Sequence, residues 1–86
     1  MTEFSFDNKH INGERAHNVT REEAESFMRN AKFMTKKWNG RFKNYYSSNG
    51  AVYIDTQFNN IRTAFKADEF SKQVVEAMEV LKKYGR

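Results

Sequence analysis

Residues 41–66 read RFKNYYSSNGAVYIDTQFNNIRTAFK. Ring-rich and β-branched runs alternate here with the turn-forming stretches Ser48-Asn49-Gly50 and Gln57–Asn60, and Asn39-Gly40 marks a turn just upstream. Short runs punctuated by Asn and Gly predict an antiparallel meander of three strands, over 41–47, 51–55 and 61–66. Side chains alternate between the faces of a strand, so Val52 and Ile54 share one face. Ile61, Thr63 and Phe65 share a parity, which leaves Arg62 and Ala64 opposite.

The flanks have a different period. Thr20-Arg21-Glu22-Glu23 has the form of a capping box, in which the Thr hydroxyl accepts from the Glu23 amide and Glu23 reaches back. Ala24, Phe27, Met28, Ala31 and Met34 then recur at helical spacing, with acids in the first turn and bases at the end, as the helix dipole favours. A helix is expected over about residues 20–34. Phe70, Val74, Val75, Met78 and Leu81 form the apolar side of a second amphipathic helix, at about 68–84. Residues 1–18 are the least legible, although Phe4 and Phe6 alternate as in a short strand and Asn12-Gly13 marks a turn. The expected class is therefore α+β: a small antiparallel sheet of three to four strands flanked by two amphipathic helices, in helix–meander–helix order, with the helices on one face.

At 86 residues the chain has room for one core, so residues 1–86 are expected to form a single domain. It has 8 Phe, 4 Tyr and 1 Trp, and rings must fill much of that core, with Phe27, Phe65 and Phe70 the leading candidates. A mean hydropathy of −0.93 with no long apolar run argues against a membrane span or a signal peptide. The absence of Cys removes disulfide scaffolds, structural zinc clusters and thiol nucleophiles. Two His make an all-protein catalytic zinc site improbable, and no metal or cofactor is expected.

The net charge of +4 is unevenly spread. Residues 26–54 hold six bases (Arg29, Lys32, Lys36, Lys37, Arg41, Lys43) and no acid. Trp38, Phe42, Tyr45, Tyr46 and Tyr53 are interleaved with them or follow closely. Bases neutralise phosphates and ring faces stack on unpaired bases, so this stretch predicts a nucleic-acid footprint of roughly four to six phosphates. An ordinary solvated basic face beside an aromatic core has the same composition.

No glycine-rich phosphate loop, nucleophile elbow or metal-ligand cluster is present. His10 and His17 are the side chains of a type suited to proton transfer near neutral pH. They lie in one short segment with Lys9, Glu14 and Arg15. Cleaving RNA without a metal needs a base for the 2′-hydroxyl proton, an acid for the leaving oxygen, and cations or hydroxyls around the phosphate. His10 and His17 are candidates for the first two roles, with Glu14 in reserve. Lys9, Arg15, Arg41 and Arg62, with the hydroxyls of Tyr45, Tyr46 and Thr63, are candidates for the third.

Lys9-His10-Ile11-Asn12-Gly13, the later His17, Asn44-Tyr45-Tyr46-Ser47 with Gly50-Ala51-Val52-Tyr53, and Ile61-Arg62-Thr63-Ala64-Phe65 resemble motifs of the phage-associated branch of the barnase–EndoU–colicin–RelE nuclease superfamily. The resemblance runs over about residues 5–83. It implies an α+β fold and metal-independent RNA cleavage, in a domain of the phage minor capsid or polymorphic toxin type. The Lys-His pair of that family falls on Lys9-His10, and its strand motif ending in Thr on Arg62-Thr63, which makes His10, His17 and Thr63 the expected catalytic set. RNA or another nucleic acid is then the expected partner, together with phage structural proteins or an immunity protein, and no membrane. The expected location is the bacterial cytoplasm or the virion. Two other readings use the same residues: a non-catalytic nucleic-acid-binding module, and a structural appendage of a phage head protein whose basic stretch faces an acidic partner.

Overall fold

A computed structural model describes residues 4–14 and 17–84, without the side chains of His10 and Glu14. The fold is α+β, built on a five-stranded mixed sheet. Its strands are β1 (Ser5–Phe6), β2 (Phe33–Lys37), β3 (Phe42–Tyr46), β4 (Gly50–Asp55) and β5 (Asn60–Lys66), in the spatial order β1-β5-β4-β3-β2. Strands β2 to β5 form an antiparallel meander, and β1 adds in parallel to β5. Helix α1 spans Arg21–Arg29 and α2 spans Lys72–Tyr84. A wide π-type turn at Lys9–Glu14 and a 3₁₀ turn at Ala67–Glu69 complete the elements.

The expected capping box is present: the Glu23 amide donates to Thr20 Oγ1 at 3.1 Å, and the Thr20 amide donates to Glu23 Oε1 at 3.0 Å. The helix it opens stops at Asn30, four residues short of the expected end, and Phe33 and Met34 enter β2 instead. The spacing of Met34 suits a helix, but the Phe33 ring stacks on Tyr46 at 4.7 Å, and the Lys32 amide donates to the Tyr46 carbonyl at 2.7 Å. Sheet pairing overrides the local period. The sheet thus has five strands rather than three to four.

One face of the sheet carries the core. Phe27 and Ala24 of α1 pack on Val52, Ile54, Ile61 and Ala64, joined by Ile11 from the π-type turn and by Val19. Burying each large aliphatic side chain in that set stabilises the fold by about 1.5–3 kcal/mol. Gly50 lets α1 approach: a Cβ there would lie 2.5 Å from the Phe27 ring and 2.6 Å from the Phe65 carbonyl oxygen. Asn12 clasps the chain entering α1, its amide donating to the Val19 carbonyl and accepting from the Val19 amide at 2.7 and 2.8 Å.

Phe65 and Phe70 do not join that core, contrary to expectation. They lie on the opposite face with Tyr46 and Tyr53, their rings 6.1 Å apart edge to face. The two helices do not share a face either. Phe70 covers part of the second face, and α2 beyond it buries no residue. Among the described residues no helix is long and apolar enough to cross a membrane.

A candidate nucleic-acid interface on the open sheet face

Register sorts the meander residues between the faces. On the face away from α1, Thr35, Asn44, Tyr53 and Thr63 stand opposite one another on β2, β3, β4 and β5, making a polar row across the sheet. One side of this row is closed by the rings of Phe33, Tyr46, Phe65 and Phe70. The other side is an open cleft of about 710 Å³, lined by Lys37, Trp38, Arg41, Phe42, Asp55 and Arg62, with Asp7 at its edge and Asn44, Tyr53 and Thr63 on its floor.

Arg62 reaches the cleft through a β-bulge. Tyr53 pairs with Thr63 while Ile54 pairs with Ile61, so Arg62 is an extra residue in β5. A bulge resets the alternation of faces. Ile61 and Ala64 both face the core, whereas Arg62, Thr63 and Phe65 share the open side. This corrects the parity expected from the sequence, which placed Thr63 with Ile61 and Arg62 with Ala64.

The guanidinium carbons of Arg41 and Arg62 lie 4.9 and 4.8 Å from the centre of the Phe42 ring. Arg41 is held further by Asp55, with Nε and Nη2 at 3.4 and 3.3 Å from its two oxygens. Thr56 fixes the loop that carries Arg41, since its amide and hydroxyl both donate to the Arg41 carbonyl at 2.7 Å. Burial pushes the Asp55 carboxyl up, but hydrogen bonds from Arg41 and the Gln57 amide, with the charges of Arg41 and Arg62, outweigh it and hold the group below its ordinary 3.8. Asp55 is therefore an anchor for Arg41 rather than a proton carrier. Burial, and secondarily the Tyr46 hydroxyl 3.3 Å away, push the Tyr53 phenol up, so it stays protonated.

Trp38 stands on the rim. It is 72% exposed and meets Phe42 edge-on, with centroids 5.1 Å apart. Its φ of 53° is left-handed, an uncommon conformation for a bulky residue, and Asn39 and Gly40 follow at 56° and 88°. Phe58, 65% exposed, lies on the far side of Arg41, whose guanidinium carbon is 5.8 Å from its ring centre.

Of the residues singled out from the sequence, Arg41, Arg62 and Thr63 meet in the cleft, and Tyr46 lies on the same face beside it. Tyr45 does not: it faces the other way and packs against the core. The basic stretch is divided in the same manner, since Lys37 lines the cleft while Lys36 and Lys43 pair with each other on the α1 side. His17 sits past the aromatic rings, its ring centre 5.7 Å from that of Phe65 and its Nδ1 2.9 Å from both Glu69 oxygens. Lys9 is exposed in the π-type turn. Arg15 and the side chain of His10 lie outside the described residues. Sequence reasoning missed Asn44, Asp55 and Phe58. Asp55 closes the acid-free run, which is the one signal that marks it.

Comparison with protein-family models, with curated proteins and with solved structures finds no match.

Proposed function

We propose that the open face of the sheet binds single-stranded nucleic acid, with RNA the first candidate. The observation that carries this reading is the pair of guanidiniums held on one ring, Arg41 and Arg62 on Phe42, between the exposed rings of Trp38 and Phe58. Fixed guanidiniums offer several donors to phosphate oxygens, and exposed ring faces are stacking platforms for unpaired bases. Lys37 adds a third cation, against the carboxylates of Asp7 and Asp55. The footprint is smaller than the basic stretch implies, at about two to three phosphates, because two of its three strand lysines, Lys36 and Lys43, face the other way.

A second reading, metal-independent cleavage through the 2′-hydroxyl, is favoured by the His17–Glu69 pair. A carboxylate on Nδ1 orients an imidazole and leaves Nε2 to move a proton, and Nε2 has no partner among the described residues. Phe65, against which His17 lies, is two residues from Thr63 on the same strand face, about 7 Å away. An origin in a phage or toxin protein belongs to this reading and rests on the Lys9-His10 and Arg62-Thr63 motifs.

One gel separates the readings: labelled single-stranded RNA incubated with the chain in EDTA. Binding gives a shifted, intact RNA. Cleavage gives products ending in a cyclic phosphate, which disappear in His17→Ala while the shift persists. RNA neither shifted nor cut would refute both.

A further inference from the structure

The chain holds three Asn-Gly pairs, and their surroundings differ. In such a pair the glycine nitrogen can attack the side-chain amide carbon of the asparagine, since no Cβ on the second residue obstructs it. The attack needs an asparagine side chain free to turn and a glycine N–H without a partner. Asn12 lacks the first: its amide donates to Asn8 and to the Val19 carbonyl, both at 2.7 Å, and accepts from the Val19 amide at 2.8 Å. Asn49 is pinned through the backbone, its own amide and that of Gly50 donating to Ser47 Oγ at 3.3 and 3.2 Å. Its carbonyl accepts from the Ala67 amide at 2.9 Å, and Gly50 is buried in β4. Asn39 differs on every count. It is exposed in the β2–β3 turn, and neither its side chain nor the Gly40 amide has a hydrogen-bond partner among the described residues. A Cβ on Gly40 would meet nothing within 4 Å, so the space around that residue is open.

We infer that Asn39 is a site of spontaneous deamidation, and that the carboxylate formed there weakens nucleic-acid binding in the adjoining cleft. The Gly40 nitrogen bonds to Asn39 Cγ and loses its proton, while the Cγ–Nδ2 bond breaks and the nitrogen leaves as ammonia. Water then opens the succinimide ring at either carbonyl, leaving aspartate or isoaspartate. The sum is one amide and one water giving one carboxylate and one ammonium, with nothing oxidised. Ring closure requires Asn39 to leave its left-handed φ of 56°, and no hydrogen bond of its own holds it there. The consequence for binding rests on the reading of the open face as a nucleic-acid interface; the modification site does not. Trp38 precedes Asn39, and Lys37 and Arg41 lie two residues to either side, all three lining the cleft. A negative charge beside those cations opposes phosphate, and isoaspartate also lengthens the main chain next to Trp38.

The test ages the purified chain in warm, mildly alkaline buffer and follows the three Asn-Gly pairs by peptide mass spectrometry, which reads the replacement of amide nitrogen by oxygen. Asn39 should convert roughly 10-fold faster than Asn12 or Asn49, whose hydrogen bonds must open first. Conversion at Asn12 or Asn49 as fast as at Asn39, or none at Asn39, would overturn the site. Aged and fresh chains are then titrated with single-stranded RNA at low salt. Affinity should fall roughly 3- to 10-fold in the converted chain and in fresh Asn39→Asp. Asn39→Gly, which keeps the turn and removes the amide, should hold its affinity through the same ageing. A converted chain that binds as tightly as the fresh one would overturn the effect on the cleft, as would an equal loss in aged Asn39→Gly. If the fresh chain binds no RNA, the interface reading fails, while the mass measurement still decides the site.

Discussion

Arg62 is where the site is least visible in the sequence. Simple alternation along β5 places it with Ala64 on the core side, and only the bulge opposite Tyr53 and Ile54 turns it to the cleft. No residue in Ile61-Arg62-Thr63 announces a bulge, which lies beside the stretch of β5 that also pairs with β1. Asp55 was illegible for a related reason: a lone acid ending a strand is common, and its bond to Arg41 depends on the pairing of β3 with β4. That bond has a pH signature. A carboxyl whose folded pKa lies below its unfolded value binds fewer protons when folded. Its stabilising contribution is therefore complete above the unfolded value and is lost as pH falls through the folded one. Melting temperature should fall below about pH 4. The fall should be shallower in Asp55→Asn, with part retained through Glu23, which the Thr20 amide hydrogen bond also holds below its ordinary value. An Asp55→Asn profile parallel to the parent's would show that the pair contributes nothing.

At the scale of elements, the capped start of α1 and strands β3, β4 and β5 were readable because local chemistry and tertiary context agree there. Strand β2 was not. Only Phe33 of its five residues is even partly buried, so no alternation marks it, and its place is set by backbone pairing to β3. The β2–β3 turn carries the clearest conflict between stability and use, with Trp38 left-handed and exposed. The left-handed conformation costs a non-glycine residue about 1–2 kcal/mol, which offsets most of what a substitution to glycine loses in packing and chain entropy. Trp38→Gly should accordingly keep urea-unfolding stability within about 1 kcal/mol of the parent while weakening oligonucleotide binding. A much larger destabilisation would make Trp38 a packing residue. Helix α2 has the amphipathic pattern expected of it, but Val74, Ala77 and Met78 are only half-buried and none of its residues is fully so. A chain ending at Ser71 should still melt cooperatively within a few degrees of the parent, as followed by circular dichroism. Loss of the transition would show that α2 holds the sheet together.

Across the whole molecule, α1 and its core occupy one face of the sheet, Phe70 and its neighbouring rings close half of the other, and the cleft is what is left uncovered. The sequence shows how many cations the central stretch holds, but not that Lys36 and Lys37, adjacent in β2, serve opposite faces. Placement, rather than net charge, decides which of them can meet a ligand. The chain has one Trp, and Trp38 lines the cleft, so its fluorescence reports occupancy directly. The measurement that tests the interface most directly is a titration of that fluorescence with single-stranded RNA over a range of salt concentrations. With two to three phosphates held, log affinity should fall against log salt with a slope of about −1.4 to −2. Lys37→Ala combined with Arg62→Ala should reduce the slope to about −0.7 or less, and Lys36→Ala should leave it unchanged. A slope that persists in the double variant, or that falls equally in Lys36→Ala, would contradict an interface on the open face of the sheet.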